Sequence, residues 1–277
     1  MLILTKIIIL GAIGAMGSLV SRLALEDKQI NVVAAVDVNK IGNELGSLVG
    51  VEDPNKIKIS DAKKLQQIVN ETKPDIAVDF STAKATEANC MTCVKSKIKC
   101  VIGTTGLSQE FLSEFEKQVK NLKIPAVIST NMATGVNIFF KIASIITNYV
   151  KDWDIEIIET HHNRKRDNYS GTSLTILNKI CETLGVKPED VAQFGRPKGT
   201  ALRKKGATNE IGIHCIRAGD IVGNHTVLYA GPGEYIELTH KATSRNCLAE
   251  GAIRAIKFIT EAKESKIYSM QEVLGIK

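Results

Sequence analysis

Apolar residues fall into two regimes along this chain. In the first, short uninterrupted apolar runs alternate with stretches of helical spacing. Lys6–Leu10 is an apolar run of strand length, and Met16, Leu19, Val20 and Leu23 then recur at steps of three, one and three. Ile30–Val36 is rich in β-branched residues and ends at Asp37. Lys63–Glu71 reads as a helix, and Pro74 breaks the chain before the strand Ile76–Phe80. Ala85–Ser96 reads as a helix, Cys100–Ile102 as a strand ending at Gly103, Ser108–Val119 as a helix and Ala126–Ile128 as a strand. Continuous apolar runs suit strands buried on both faces, and this alternation predicts a parallel sheet wrapped by helices on both sides.

The pattern changes near residue 131. Gly135–Val150 is a long helical segment with apolar residues on more than one face, Ile155–Glu159 a strand, and Ser170–Leu184 an amphipathic helix. A Gly- and Lys-rich stretch, Lys198–Gly206, precedes three strand-like segments: Glu210–Ile216, Thr226–Tyr229 and Tyr235–His240. The turn Gly231-Pro232-Gly233 separates the last two, and Arg245–Glu261 reads as a closing helix. Strands gathered in this way predict a separate α+β unit with a mixed or antiparallel sheet.

Composition narrows the function classes. The chain has 277 residues, enough for one large domain or two modest ones, and its 44% hydrophobic and 24% charged content is that of a globular protein with a packed core. The 36 basic and 30 acidic residues leave a net charge of +6, which suits an enzyme handling small anions and is too mild to argue for nucleic acid. An aromatic content of 5% with no recognition motif points the same way. No apolar stretch reaches membrane-spanning length and no signal-type segment is apparent, so the expectation is a cytoplasmic enzyme without a membrane partner. Cys90 and Cys93 form a C-x-x-C, without the second pair or nearby histidine set that zinc or redox chemistry requires. Both fall in a helical segment, where they read as small buried side chains.

Two places carry the chemistry. The first is Gly11-Ala12-Ile13-Gly14-Ala15-Met16-Gly17, which follows a strand and opens a helix. Missing side chains let the backbone bend tightly and approach a pyrophosphate, towards which the helix directs its N–H groups and positive dipole end. Asp37 ends the next strand, where a carboxylate accepts hydrogen bonds from the adenosine ribose and repels the extra phosphate of NADP. No Arg follows it, although Lys40 could partly offset the repulsion, so the expected cofactor is NADH or NADPH with NADH favoured. Two further loops after strands, Gly103-Thr104-Thr105-Gly106 and Ser129-Thr130-Asn131-Met132, carry small and amide-bearing residues that can orient a nicotinamide.

The second place is the segment His161-His162-Asn163-Arg164-Lys165-Arg166-Asp167-Asn168-Tyr169-Ser170-Gly171-Thr172. Two histidines, a lysine and a Ser-Gly-Thr helix start make a site for carboxylates. The N–H groups of Gly171 and Thr172 would be unsatisfied donors, and the Ser170 and Thr172 hydroxyls add to them. Lys165 supplies a charge and histidine titrates near neutrality. Taken alone, the segment is equally a solvated basic loop. A metal is not expected, because adjacent histidine side chains diverge and no zinc-enzyme spacing accompanies them. His214, His225 and His240 read as structural.

With these residues the chain resembles the 4-hydroxy-tetrahydrodipicolinate reductase (dihydrodipicolinate reductase) family of lysine biosynthesis, nearly end to end. The resemblance runs through Gly11–Gly17, Asp79-Phe80-Ser81-Thr82, Gly103–Gly106, Asn131 with Gly135-Val136-Asn137, and Glu159-Thr160-His161-His162 with Lys165. It continues through Ser170-Gly171-Thr172, Arg217-Ala218-Gly219, Gly223-Asn224-His225, Glu237–His240 and Ser244-Arg245. It implies a Rossmann-type dinucleotide-binding domain, 1–131 completed by the C-terminal helix within 242–277. It also implies an inserted α+β substrate and tetramerisation domain, 132–241, and a homotetramer. By the same resemblance His161 is the general acid/base and Lys165 the proton donor, and His162, Gly171 and Thr172 contact substrate carboxylates. Gly11–Met16, Asp37, Gly103–Thr105 and Ser129–Met132 would be the cofactor contacts. The implied substrate is a cyclic imine dicarboxylate that loses water and takes up a hydride and a proton. The chain departs from the family at Ala15, where Arg is usual, at Asn168-Tyr169, where Ala-Pro is usual, and at Met132, commonly Phe. Other amino-acid-pathway dehydrogenases, or a non-catalytic cofactor sensor, would have no need of the His-His…Lys…Ser-Gly-Thr string.

Overall fold

The computed structural model describes residues 4–203 and 210–276, so the end of the Gly- and Lys-rich stretch lies outside the described residues. The chain divides into two compact units, 1–134 with 245–277, and 135–244. The joins lie slightly later than the expected 131/132 and 241/242, because each falls at the start of a helix.

The first unit contains β1 (Thr5–Leu10), α1 (Gly17–Glu26), β2 (Ile30–Asp37), α2 (Leu45–Val49), β3 (Ile59–Asp61), α3 (Leu65–Thr72) and β4 (Ile76–Asp79). It continues with α4 (Ala83–Lys95), β5 (Lys99–Ile102), α5 (Gln109–Leu122) and β6 (Ala126–Ile128). The strands form a parallel sheet in the order β3-β2-β1-β4-β5-β6, to which a C-terminal strand is added beyond β6. Ile7 and Ile9 of β1 face one layer, with Val20 and Ala24 of α1 and Ala252 and Ile256 of the closing helix. Ile8 and Leu10 face the other, with Val69 of α3, Cys93 of α4 and Phe115 of α5. All four β1 residues are fully buried, each worth roughly 1.5–3 kcal/mol of apolar burial. Two-sided burial is the reason this strand is uninterrupted rather than alternating. Cys90 and Cys93 are fully buried, as read from the sequence.

The second unit contains most of α6 (Thr134–Tyr149), then β7 (Asp154–His161), α7 (Gly171–Leu184), α8 (Pro188–Val191), β8 (Ala192–Phe194), β9 (Ile211–Arg217), β10 (Gly223–Gly231) and β11 (Glu234–Ala242). Its sheet is mixed, in the order β11-β10-β7-β9-β8. β10 runs antiparallel to β11 and β7, whereas β9 runs parallel to β7 and β8. β7 buries alternate residues, which puts Glu159 and His161 on the same face as Ile155 and Ile157. Its strand extends past the apolar run, because Thr160 and His161 pair with Ile216 and Arg217 of β9. Ser170 caps α7, its hydroxyl accepting from the Ser173 N–H, and Gly185 ends the helix in the left-handed region at φ 70°.

The chain then returns to the first unit through α9 (Asn246–Glu261), β12 (Ile267–Tyr268) and α10 (Met270–Val273). β12 is the strand paired with β6, so the returning segment adds a strand as well as the expected helix. Two residues are too few to show a strand period in sequence.

Candidate functional site

In the first unit, a cleft of about 750 Å³ opens beyond the carboxyl ends of β1, β4 and β5. The strand order reverses between β1 and β4, where open parallel sheets bind ligands. The glycine turn forms one wall. Gly11 has φ +74°, and a Cβ there would lie 2.9 Å from the Phe80 carbonyl oxygen. A Cβ on Gly17 would lie 1.8 Å from the Gly11 carbonyl oxygen, so the turn cannot close around any side chain at that position.

Gly11, Gly14, Ala15, Met16 and Asp37 line the cleft, as do Gly103, Thr104, Thr105 and the loop Ser129–Met132. Ala12 and Ile13 do not. Ala12 is fully buried, with its carbonyl accepting from the Ser21 hydroxyl at 3.0 Å. Ile13 contributes its N–H, which donates to Asp37 Oδ2 at 3.2 Å, while Oδ1 accepts from the N–H groups of Val38 and Asn39. Asp37 therefore closes the end of β2 onto the glycine turn as well as facing the cleft.

The cleft floor rests on a carboxylate to which the sequence reading gave no role. Asp79 is fully buried and accepts from the Ser81 N–H at 3.0 Å and from the hydroxyls of Ser81, Thr86 and Thr104 at 2.9, 2.6 and 2.8 Å. One side chain thus ties together the loops after β4 and β5. Phe80, Ser81, Thr82 and Leu248 also line the cleft. The first three follow a strand terminus on the ligand-binding edge, which was the available signal. Leu248 lies over a hundred residues away and had none.

In the second unit, the face of β7 that carries Ile155 and Ile157 ends in a polar cluster. Glu159 is fully buried. Its Oε2 accepts from the Ser170 N–H at 2.9 Å and the Ser173 hydroxyl at 2.5 Å, and its Oε1 lies 2.9 Å from Arg217 Nη2. His161 Nδ1 lies 3.6 Å from the same Oε1, an ion-pair rather than a hydrogen-bonding distance. Burial pushes the Glu159 carboxyl up, but the donors facing it from His161, Ser170 and Ser173 outweigh burial and hold it well below the usual carboxylate range. His225 stacks edge-on to His161 at 5.2 Å and its Nε2 lies 3.2 Å from Ser170 Oγ. Burial foremost, then neighbouring His161, lowers the His225 pKa to about 3, so its ring is neutral.

Of the residues singled out in this segment, His161 ends β7 with a side chain about one-tenth exposed, and His162 follows it half-buried. Lys165 reaches Asp167, Nζ to Oδ2 2.8 Å. Gly171 is exposed at the first position of α7, where helix geometry leaves N–H groups without intrahelical acceptors, and Thr172 is half-buried beside it. Ser170 departs from the sequence reading. It is 4% exposed, and its hydroxyl is taken up by the helix cap, Ser173 Oγ and His225. It fixes the helix end rather than presenting a free donor.

The basic stretch is tied down where a proline is missing. The Asn168 carbonyl accepts from Arg217 Nη2, and the Tyr169 ring packs 4.7 Å from Phe194 of β8. Glu159, His225 and Arg217 are the members that the sequence reading left without a catalytic part. Glu159, His161 and His225 also bring three ligand-type atoms within 4.8 Å of one another. The Glu159 carboxylate already faces an arginine and two donors from α7, which opposes a dication there.

Comparison with known proteins gives matches along the whole chain. A family model described as dihydrodipicolinate reductase, N-terminus, matches residues 5–132, and one described as dihydrodipicolinate reductase, C-terminus, matches residues 135–274. The 4-hydroxy-tetrahydrodipicolinate reductase of Methanocaldococcus jannaschii is 43% identical over 98% of this chain and 97% of its own. That of Methanothermobacter thermautotrophicus is 39% identical over 98% of this chain and 99% of its own. Among solved structures, a dipicolinate-bound dihydrodipicolinate reductase from Paenisporosarcina sp. superposes with a TM-score of 0.77 at 26% identity, covering 99% of this chain and 100% of the other.

Proposed function

The chain belongs to the dihydrodipicolinate reductase family, and from that membership we propose that it reduces 4-hydroxy-tetrahydrodipicolinate to tetrahydrodipicolinate with a nicotinamide dinucleotide, in cytoplasmic lysine and diaminopimelate biosynthesis. The observation that carries this reading is the short span on which His161 and the N-terminus of α7 meet a buried, ionised Glu159, with Lys165 held by Asp167 on the loop between them. A dinucleotide sensor has no use for such a cluster.

The cleft of the first unit fits a dinucleotide: its wall is a glycine turn that any Cβ at Gly17 would break, and Asp37 closes it. Within Gly11–Met16, Gly11, Gly14, Ala15 and Met16 would hold the cofactor together with Gly103–Thr105 and Ser129–Met132, while Ala12 and Ile13 brace the turn from behind. When bound, the reduced nicotinamide supplies a hydride to the substrate ring. NADH is favoured over NADPH, because the Asp37 carboxylate repels a ribose phosphate and Ala15 brings no cation to offset it.

The second unit handles charge and protons. His162, Gly171 and Thr172 hold the substrate carboxylates at the positive end of α7, which Ser170 shapes from beneath. His161 acts as general acid/base, and Lys165 delivers the proton that completes reduction. Asp167 holds the Lys165 ammonium at 2.8 Å in the free enzyme, and a substrate carboxylate would compete for it. The dipicolinate carried by the solved relative is a ring dicarboxylate of the class this arrangement would accept.

A homotetramer is supported by the second unit's sheet, whose face opposite Ile155 and Ile157 carries Ile216 and Tyr235, 46% and 68% exposed. No nucleic-acid or membrane partner is proposed; among the described residues, no helix is long and apolar enough to cross a membrane. To test the reading, the condensation product of pyruvate and aspartate semialdehyde is supplied and oxidation of NADH and NADPH is followed. Oxidation of both is expected, with the higher kcat/KM for NADH. Absence of oxidation with either overturns the assignment, and a strong NADPH preference overturns the cofactor part alone.

A further inference from the structure

We propose that Glu159 is a positioning residue for His161, holding the imidazole with its Nδ1–H towards the carboxylate so that Nε2 is the atom that exchanges a proton with substrate. This rests on the reading of His161 as the acid/base group.

The geometry sets the roles of the two carboxylate oxygens apart. Oε2 is held by donors of α7, the Ser170 N–H at 2.9 Å and the Ser173 hydroxyl at 2.5 Å. Oε1 faces Arg217 at 2.9 Å and His161 Nδ1 at 3.6 Å. His161 Nδ1 is buried and has no hydrogen-bond partner among the described residues, so the carboxylate is the acceptor it faces. A buried ring nitrogen opposite an anion is favoured as N–H over a lone pair, because a lone pair would face the negative charge. The other nitrogen is then the free one, and Gly223 leaves it room: a Cβ there would lie 3.1 Å from His161 Nε2.

The arrangement also fixes position. β7 carries Glu159 and His161 on one face, two residues apart, and the same carboxylate grips the first turn of α7. The imidazole and the helix end are therefore referenced to one rigid group. Arg217 balances its charge and, through the Asn168 carbonyl, ties the loop bearing Lys165 to the same point. A carboxylate that orients a catalytic histidine and fixes its tautomer acts at one remove from substrate.

The test is Glu159→Gln, read by ¹⁵N NMR of the His161 ring in the free enzyme and by steady-state kinetics. The Ser170 N–H can only donate, so the glutamine oxygen is drawn to the Oε2 position and its NH₂ to the side facing His161. Because Arg217 resists that orientation, the double variant Glu159→Gln with Arg217→Met is measured beside it. In the wild type the Nδ1–H tautomer is expected. In the double variant the Nε2–H tautomer should predominate, with kcat lowered on the order of 100-fold and substrate KM changed much less. Retained NADH affinity reports an intact first unit, and a native thermal transition reports folding of the whole. An Nε2–H tautomer in the wild type overturns the proposal, as does a folded double variant that keeps the wild-type tautomer and kcat. If the wild type reduces no substrate, the functional reading fails, while the tautomer measurement still decides the role of Glu159.

Discussion

The cleft of the first unit is built largely from backbone, and the cluster of the second largely from side chains. Gly11, Gly14 and Gly17 contribute by what they lack, and the carboxylates there, Asp37 and Asp79, accept from the chain's own N–H and hydroxyl groups. In the cluster, Glu159, Arg217, His161 and His225 lie on three strands: Glu159 and Arg217 pair their charges, and the two imidazoles pack against each other beside them. A backbone site tolerates change wherever no side chain enters it. A side-chain site works only with the full set, since a buried charge stripped of its partner is costly. A pyrophosphate needs donors and close approach, whereas proton transfer needs titratable groups in fixed geometry.

Substitutions in one unit should therefore separate cleanly from those in the other. The largest effect is expected from Lys165→Ala, which should lower kcat by about 100-fold or more while the NADH dissociation constant stays within twofold. Fluorescence titration of NADH beside steady-state rates checks this, and parallel losses of binding and turnover would break the division. Gly17→Ala should do the converse: its Cβ meets the Gly11 carbonyl oxygen at 1.8 Å, so NADH affinity should fall at least tenfold and the protein should lose about 2–3 kcal/mol of stability. Urea unfolding together with NADH titration measures both.

Asp37→Asn should shift the ratio of kcat/KM for NADH over NADPH towards NADPH by about tenfold, through loss of one charge near the ribose. Rates with each cofactor decide it, and an unchanged ratio would remove Asp37 from cofactor choice. A last effect concerns stability alone. Burial and neighbouring His161 lower the folded pKa of His225 to about 3, below the ordinary 6.5. Between those values the unfolded chain binds a proton that the folded chain refuses. The contribution is thus full above about pH 6.5 and lost as pH falls, at up to ~1.4 kcal/mol per unit. Urea midpoints from pH 7 to pH 5 should fall in the wild type and fall less steeply in His225→Gln, where His240, whose pKa burial also lowers, still contributes. This window lies above the range in which the depressed Glu159 carboxyl begins to matter.

Legibility followed the same division. The buried strands of the first unit were plain as continuous apolar runs, and the glycine turn was plain from its place after one of them. The end of strand β7 was harder: Ile155–Glu159 was read as a strand, but Thr160 and His161 extend it, and polar residues do not announce a strand. Short elements such as β3, β8 and β12 escaped notice, since two or three residues carry no period and, unlike Ala126–Ile128, none is an apolar triplet. Their existence rests on pairing with neighbours far off in the chain.

The sequence by itself determined the layered α/β organisation, the glycine turn, the presence of Asp37, and the string from His161 to Thr172, because each is local and set by spacing. Tertiary structure alone decided that Asp37 binds the Ile13 N–H, that Ser170 is buried as a cap, and that Glu159, Arg217 and His225 gather around His161. The first contact joins the end of β2 to the glycine turn and the others join β7, β9, β10 and the start of α7, and the partners of a buried charge are chosen by which strands pair.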